Sequence, residues 1–96
     1  MIKHIVCFQL HNNSQEEMEK AKEVLLSMKE NVPTVRDIQV GLDFLHSPRS
    51  YDVILQVELD SREMLDVYQN DPYHVEVVKT HMHRVAKSSI TIDYEL

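Results

Sequence analysis

Four segments of this chain carry apolar residues at every second position, and the two longer segments between them carry apolar residues at every third or fourth position. A period of two predicts a strand with one buried face, whereas a period near 3.6 predicts an amphipathic helix. The predicted strands are residues 2–10, 35–44, 51–59 and 88–95. The resulting order, β-α-β-β-α-β, is that of a ferredoxin-like α+β fold. The length of 96 residues predicts a single domain, residues 1–96.

Polar residues mark the ends of the predicted helices. Ser14, followed by a glutamate three positions later, predicts the start of the first helix, since this pair can form a capping box. Pro33 predicts the end of that helix at the preceding residue. Asp60 predicts the start of the second helix, because its carboxylate can cap a free backbone N–H.

The second helix is interrupted by the sequence "NDP", residues 70–72. Proline removes a helical hydrogen bond, and Asp71 can cap a new helix that starts at Pro72. Tyr68 and His74 lie on either side of this break, and in an unbroken helix they would stand about 240° apart around the axis. We therefore predict that the break turns both side chains into one cavity between the helices and the sheet. The other predicted cavity residues are His4, Val6, Phe8, Val53 and Ile92.

The residue types at this break permit acid–base chemistry. His74 would lie in the first turn of a helix, where the helix dipole lowers the pKa of an imidazole and leaves a neutral base near pH 7. The Tyr68 hydroxyl needs a partner when buried, and it could stabilise an oxyanion. A purely structural alternative is that His74 caps the helix or bonds Tyr68 and holds the turn.

His4 lies on the apolar face of the first predicted strand. Such a histidine is either a core residue with a satisfied hydrogen bond or a cavity wall that orients His74 or a ligand. Asp93 or Tyr94 could be its partner. Because Asp93 alternates with Ile92, which we place facing the helices, this contact would require a twist or bulge in the last strand.

The opposite face of the sheet is mixed, with Ile5, Cys7 and Ile54 among polar residues. Such a face either contacts water or packs against the sheet of a second copy. Gly41, the only glycine, lies inside the second predicted strand and indicates a bulge or a close backbone approach.

Composition excludes several classes of function. The net charge of −6 gives no basic surface for nucleic acid. No segment approaches the ~20 apolar residues of a membrane span, and the N-terminus does not have the pattern of a signal peptide. Cys7 is the only cysteine, which excludes an intrachain disulfide and fits a reducing compartment. We therefore expect a cytoplasmic protein without nucleic-acid or membrane partners.

No metal or cofactor is expected. His81 and His83 are two positions apart on a predicted helix, so they point about 200° apart and cannot share a metal ion. The chain has no CxxC, GxGxxG, Walker or GxSxG motif.

Five segments, "KHIVCFQL", "VPTVRDIQVGLD", "SYDVILQVEL", "YQNDPYHVEV" and "ITIDYEL", occur in an order that resembles the stress-responsive A/B barrel (Dabb) family. The resemblance implies a ferredoxin-like protomer whose sheet packs on that of a second copy, forming a dimeric α/β barrel. Many members have no assigned activity, and plant members are linked to stress responses.

In a plant polyketide cyclase that resembles this domain, the residues matching His74 and Tyr68 carry the chemistry, and a first-strand histidine matches His4. That cyclase has a histidine in place of Val53 and aromatic residues in the first helix, where this chain has small or aliphatic ones. The acid–base pair is thus shared, whereas the walls of the cyclase pocket are not.

Three functions follow as hypotheses. The first is a homodimer that binds a small, partly apolar molecule in a pocket of each protomer. The second is a cofactor-free enzyme, such as a cyclase or isomerase, in which His74 takes a proton and Tyr68 stabilises the oxyanion. The third is a structural stress protein without a ligand.

Overall fold

The computed structural model describes all 96 residues and confirms the predicted order of elements. The strands are β1 (Ile2–Leu10), β2 (Asp37–Leu42), β3 (Val53–Leu59) and β4 (Ala86–Glu95). The helices are α1 (Gln15–Leu26), α2 (Met28–Asn31), α3 (Arg62–Gln69), a π-helical segment (His74–Lys79) and α4 (Thr80–Val85). None of these helices has the length and apolarity needed to cross a bilayer.

The strands form one antiparallel sheet in the order β2-β3-β1-β4, which is the ferredoxin-like α+β arrangement. All helices pack on one side of it, and we call that side the inward face. The hydrophobic core lies between this face and the helices. Its largest fully buried side chains are Tyr68, Met18, Leu25, Met28 and Leu59. Burial of the alternating apolar residues therefore fixes which way each central strand faces.

The start of α1 is as predicted, whereas the start of α3 is not. The Ser14 hydroxyl accepts a hydrogen bond from the backbone N–H three residues later, at 3.2 Å. The residue that caps α3 is Ser61, whose hydroxyl accepts from the N–H of Met64 at 3.2 Å, so the prediction of Asp60 is wrong by one position. The Asp60 carboxylate instead binds the Arg36 guanidinium at 2.7–3.0 Å.

The break in the second helical region occurs where it was predicted. The Asp71 side chain accepts hydrogen bonds from the backbone N–H groups of Tyr73 and His74 at 2.9 and 3.3 Å. The chain then enters the π-helical segment before it returns to α-helix at Thr80. The π-helical segment was not predicted, because so short a π-helix leaves no distinct period of apolar residues in the sequence.

The predicted bulge at Gly41 is wrong. The pairing of β2 with β3 is regular throughout, and Gly41 lies directly opposite Ile54. A Cβ atom added to Gly41 would lie 3.0 Å from Cγ2 of Ile54, which is closer than ordinary van der Waals contact. The close approach at this glycine is therefore to a branched side chain of the neighbouring strand, and it explains the position.

The prediction that Ile92 faces the helices is also wrong. Ile92 pairs with Ile5, and Ile90 pairs with Cys7, so these apolar residues share the side of the sheet turned away from the helices, the outward face. Ile90 is 51% exposed and Ile92 is 61% exposed. Thr91 and Asp93 alternate with these residues and face inward, so Asp93 reaches the inward face without any local bulge.

Asp52 is one of the few buried polar residues. It precedes β3, and its carboxylate accepts hydrogen bonds from the backbone N–H of Leu10 at 2.7 Å and from the side-chain amide of Asn13 at 3.2 Å. Its own N–H donates to the carbonyl of Phe8 at 2.8 Å. Asp52 therefore fixes the end of β1 against the start of β3.

Candidate functional site

A cavity of about 200 Å³ lies between the inward face of the sheet and the helical segments on either side of the break. Five of the seven predicted cavity residues line it: His4, Val6, Phe8, Tyr68 and His74. The remaining two do not. Val53 is buried within the hydrophobic core, and Ile92 lies on the outward face.

His74 has one ring nitrogen engaged and one free. Nδ1 lies 3.0 Å from the backbone carbonyl oxygen of Tyr68. Because a carbonyl oxygen can only accept, we assign the proton of the neutral ring to Nδ1, which leaves a lone pair on Nε2. Nε2 has no partner within the protein and is not fully enclosed, so it is available to a molecule in the cavity.

The pKa of His74 is lowered, chiefly because burial disfavours the charged imidazolium. The hydrogen bond to the Tyr68 carbonyl opposes this effect, and the positive charge of Lys79 adds to it. The ring is therefore neutral at pH 7, as predicted, although desolvation is the main cause. This is the protonation state of a hydrogen-bond acceptor or a general base.

His4 is oriented in a similar way from the opposite wall. Its Nδ1 atom contacts the carboxylate of Asp93, directly across from it on β4. This contact holds the ring and assigns a proton to Nδ1. Nε2 of His4 also has no partner within the protein and is not fully enclosed. The cavity is therefore bordered by two imidazoles whose Nδ1 atoms are both held by the protein.

Tyr68 packs between these two histidines and is completely buried. Its ring stacks on His74, with centroids 4.4 Å apart and an interplanar angle of 27°. It also meets His4 at 5.5 Å and 66°, an edge-to-face contact. The break thus brings Tyr68 and His74 together, as the sequence predicted.

The Tyr68 hydroxyl is directed toward the core. It donates to the sulfur of Met28 at 3.6 Å. Burial raises the pKa of this phenol far above its usual value, so the group stays protonated. In this conformation the Tyr68 ring packs against both imidazoles and holds them in place, while its hydroxyl is hydrogen-bonded to Met28 in the core.

Sequence reasoning missed several lining residues on the segment after the break and on β4: Val78, Lys79, Met82, His83, Ser89 and Thr91. A signal for some of them was present. Val78 and Met82 follow His74 at intervals of four, the spacing of one helix face. Once β4 is placed correctly, alternation also puts Ser89 and Thr91 on the cavity side.

His81 and His83, which the spacing predicted to diverge, lie in different environments. His83 lines the cavity, whereas His81 is buried, with Nδ1 3.1 Å from the Arg84 guanidinium and Nε2 without a partner. Nowhere in the chain do three His, Cys, Asp or Glu side chains converge as a metal site would require.

Acid is expected to destabilise the protein through His81. Burial lowers the pKa of His81, with further lowering by Arg84 and Lys20 and an opposing effect of Glu17. The unfolded chain then binds a proton at higher pH than the folded chain, so the free energy of unfolding falls as pH drops below about 6.5 and levels off below the folded-state pKa. Urea denaturation between pH 7.5 and 5 measures this change.

His81→Gln should flatten this pH dependence. Part of it should persist, because the pKa of His74 is lowered in the same direction. Replacement of the exposed His11 by Gln is the control and should leave the slope unchanged. A His81→Gln variant with the same pH dependence as the natural protein would contradict the assignment.

Comparison with known proteins places the chain in a family. The family model described as "Stress responsive A/B Barrel Domain", or Dabb, matches residues 2–96. The chain belongs to the Dabb family. No curated protein matches it in sequence.

Solved structures share the Dabb fold described here. A dimeric ferredoxin-like protein of unknown function from Bacteroides fragilis is 28% identical, with a TM-score of 0.82 over 99% of this chain and 95% of that one. A Dabb family protein from Mesorhizobium loti is 23% identical, with a TM-score of 0.77 over 99% and 95%. A hydroxynitrile lyase from Passiflora edulis is 15% identical, with a TM-score of 0.81 over 99% and 92%. At such identities the last two show a shared fold alone.

Proposed function

We propose that this Dabb protein binds a small, partly apolar molecule in the cavity of each protomer of a homodimer. The observation that carries the proposal is the pair of imidazoles at one cavity, His4 and His74, each with Nδ1 held by the protein and Nε2 left for a ligand. Apolar walls with a few fixed polar groups are typical of small-molecule sites.

The outward face of the sheet supports the homodimer. Ile5, Cys7 and Ile54 lie at its centre, and the exposed Ile90 and Ile92 extend it onto β4. Contiguous exposed apolar surface of this kind is typical of an interaction site. Solved relatives from Bacteroides fragilis and Thermobifida fusca are described as dimeric. A second copy packed sheet to sheet would cover the face.

A cofactor-free enzyme is the second candidate function, and the neutral state of His74 favours it. Nε2 of His74 could take a proton from a hydroxyl or an activated carbon of a bound substrate. The negative charge that remains on the substrate would need a hydrogen-bond donor within the cavity. The hydroxynitrile lyase among the structural relatives is an enzyme built on the same fold.

A ligand screen tests the proposal. Fragments that raise the melting temperature should shift the NMR signals of His4 and His74, because both rings border the cavity. His74→Ala should weaken binding by about tenfold or more, while His46→Ala, in an exposed loop, should not. Conversion of a bound compound to a product would favour the enzyme over the binding protein as the function. Fragments that bind equally well to His74→Ala, or no binding at all, would count against both functions.

A further inference from the structure

We infer that the ligand is a small organic acid, whose carboxylate binds beside Lys79 and His83 while its apolar body enters the cavity. This inference rests on the proposed function, since it assigns a chemical class to the molecule in the same cavity. Four observations lead to it.

The first observation is that the Lys79 ammonium has more hydrogen-bond donors than partners. Its side chain lines the cavity and is half-buried, and its ammonium donates to the backbone carbonyl of Gln69 at 3.1 Å. It takes part in none of the chain's ion pairs. A lysine ammonium has three donors and is costly to desolvate without an opposite charge. An anion in the cavity would supply that charge.

The second observation is the absence of acidic residues from the cavity lining, although the chain has 16 acidic and 10 basic residues. His83 lines the cavity together with Lys79, four positions earlier on the same helical stretch. The carboxylate of Asp93 lies close by but is engaged with His4. The cavity lining therefore has one formal positive charge, on Lys79, and no negative charge, in a protein whose net charge is −6.

The third observation is the geometry of the π-helical segment. In an α-helix, side chains five positions apart point about 140° away from each other. The i→i+5 pattern of a π-helix brings the fifth residue back toward the same side. His74 and Lys79 are the first and last residues of this segment, and both line the cavity. The charge of Lys79 also reaches His74, because it contributes to the lowered pKa of that imidazole.

The fourth observation is the size of the cavity. Its volume of about 200 Å³ is below the roughly 300–1,000 Å³ of sites for drug-sized ligands. Apolar side chains such as Val6, Phe8 and Leu25 form much of the wall. A monocarboxylic acid with a short aromatic or branched aliphatic body has the matching size, apolar surface and charge.

Matched pairs of acids and neutral amides test this inference. Benzoate with benzamide, phenylacetate with phenylacetamide, and 4-methylpentanoate with its amide would each be titrated and followed by histidine NMR signals and calorimetry. The acids should bind about tenfold or more tightly than their amides. Lys79→Gln should weaken acid binding by a similar factor and weaken amide binding far less. Lys29→Gln, an exposed site on α2, is the matched control and should retain the preference.

The outcomes separate this inference from the proposed function. Equal affinity for acids and amides, or a preference for acids that survives Lys79→Gln, would overturn the anionic class while the cavity remained a binding site. Failure of every acid to bind at millimolar concentration would overturn it as well. In that case the amides would still test the cavity, because His74→Ala should weaken their binding if the proposed function is correct.

Discussion

Ile54→Lys is expected to convert the proposed dimer into a monomer. Ile54 lies on the outward face, opposite Gly41 on β2 and Cys7 on β1. A lysine there would place an unpaired charge within an apolar interface, where desolvation without a partner is strongly unfavourable. The dissociation constant should rise by about 100-fold or more. Sedimentation equilibrium or light scattering at micromolar concentration measures it.

A matched control separates this effect from a general effect of added charge. Val67 is 49% exposed on α3, on the helical side of the protein. Val67→Lys should therefore leave both the dimer and its stability unchanged. A natural protein that is monomeric at micromolar concentration, or an Ile54→Lys variant that stays dimeric, would refute the sheet-to-sheet assembly.

Tyr68→Ala should destabilise the fold by about 3–5 kcal/mol, the usual cost of truncating a large buried aromatic side chain. Tyr68 is completely buried and contacts both cavity histidines, so the change removes core packing and leaves a void beside them. Urea denaturation at pH 7 would measure the loss. A loss of less than about 1 kcal/mol would show that the surrounding side chains collapse into the space of the missing ring and would contradict a major role of Tyr68 in core packing.

Tyr68→Phe isolates the hydroxyl group. It retains the ring and removes only the bond to the Met28 sulfur, so stability should change by about 1 kcal/mol or less. Ligand binding should persist, because the two imidazoles keep their stacking partner. Loss of binding or of turnover in a stable Tyr68→Phe protein would instead support the sequence-based hypothesis that the hydroxyl stabilises an oxyanion.

Alternation located the strands but could not determine which side of β4 faces the core. The rule that apolar faces of strands meet helices placed Ile92 on the wrong side of the sheet. That rule fails because the residues of β4 that face inward beside the cavity, Ser89 and Thr91, are polar. Gly41 shows a related limit of prediction from sequence. A glycine is favoured there by the bulk of Ile54 on a neighbouring strand, and no local turn requires it.

The site was predictable where local chemistry determined it. Pro72 and Asp71 interrupt the helix within a few residues of Tyr68 and His74, and this alone indicated that the two rings converge. Contacts between distant segments were harder to predict. The bond from the Tyr68 hydroxyl to Met28 spans 40 positions and was not predicted. The His4–Asp93 contact spans 89 positions; it was predicted as a candidate, but with a twist or bulge that the regular strand pairing does not need. Such pairs depend on helix placement and strand register, which a single sequence does not specify.

The edge strand β4 connects two surfaces through adjacent residues. Ser89, Thr91 and Asp93 face the cavity or its histidine, while Ile90 and Ile92 between them belong to the outward face. A rigid-body displacement of β4 cannot move one set without the other. In the proposed dimer, a ligand that favours one position of this strand would change the affinity between copies by some factor, and thermodynamic reciprocity would require that association change ligand affinity by the same factor.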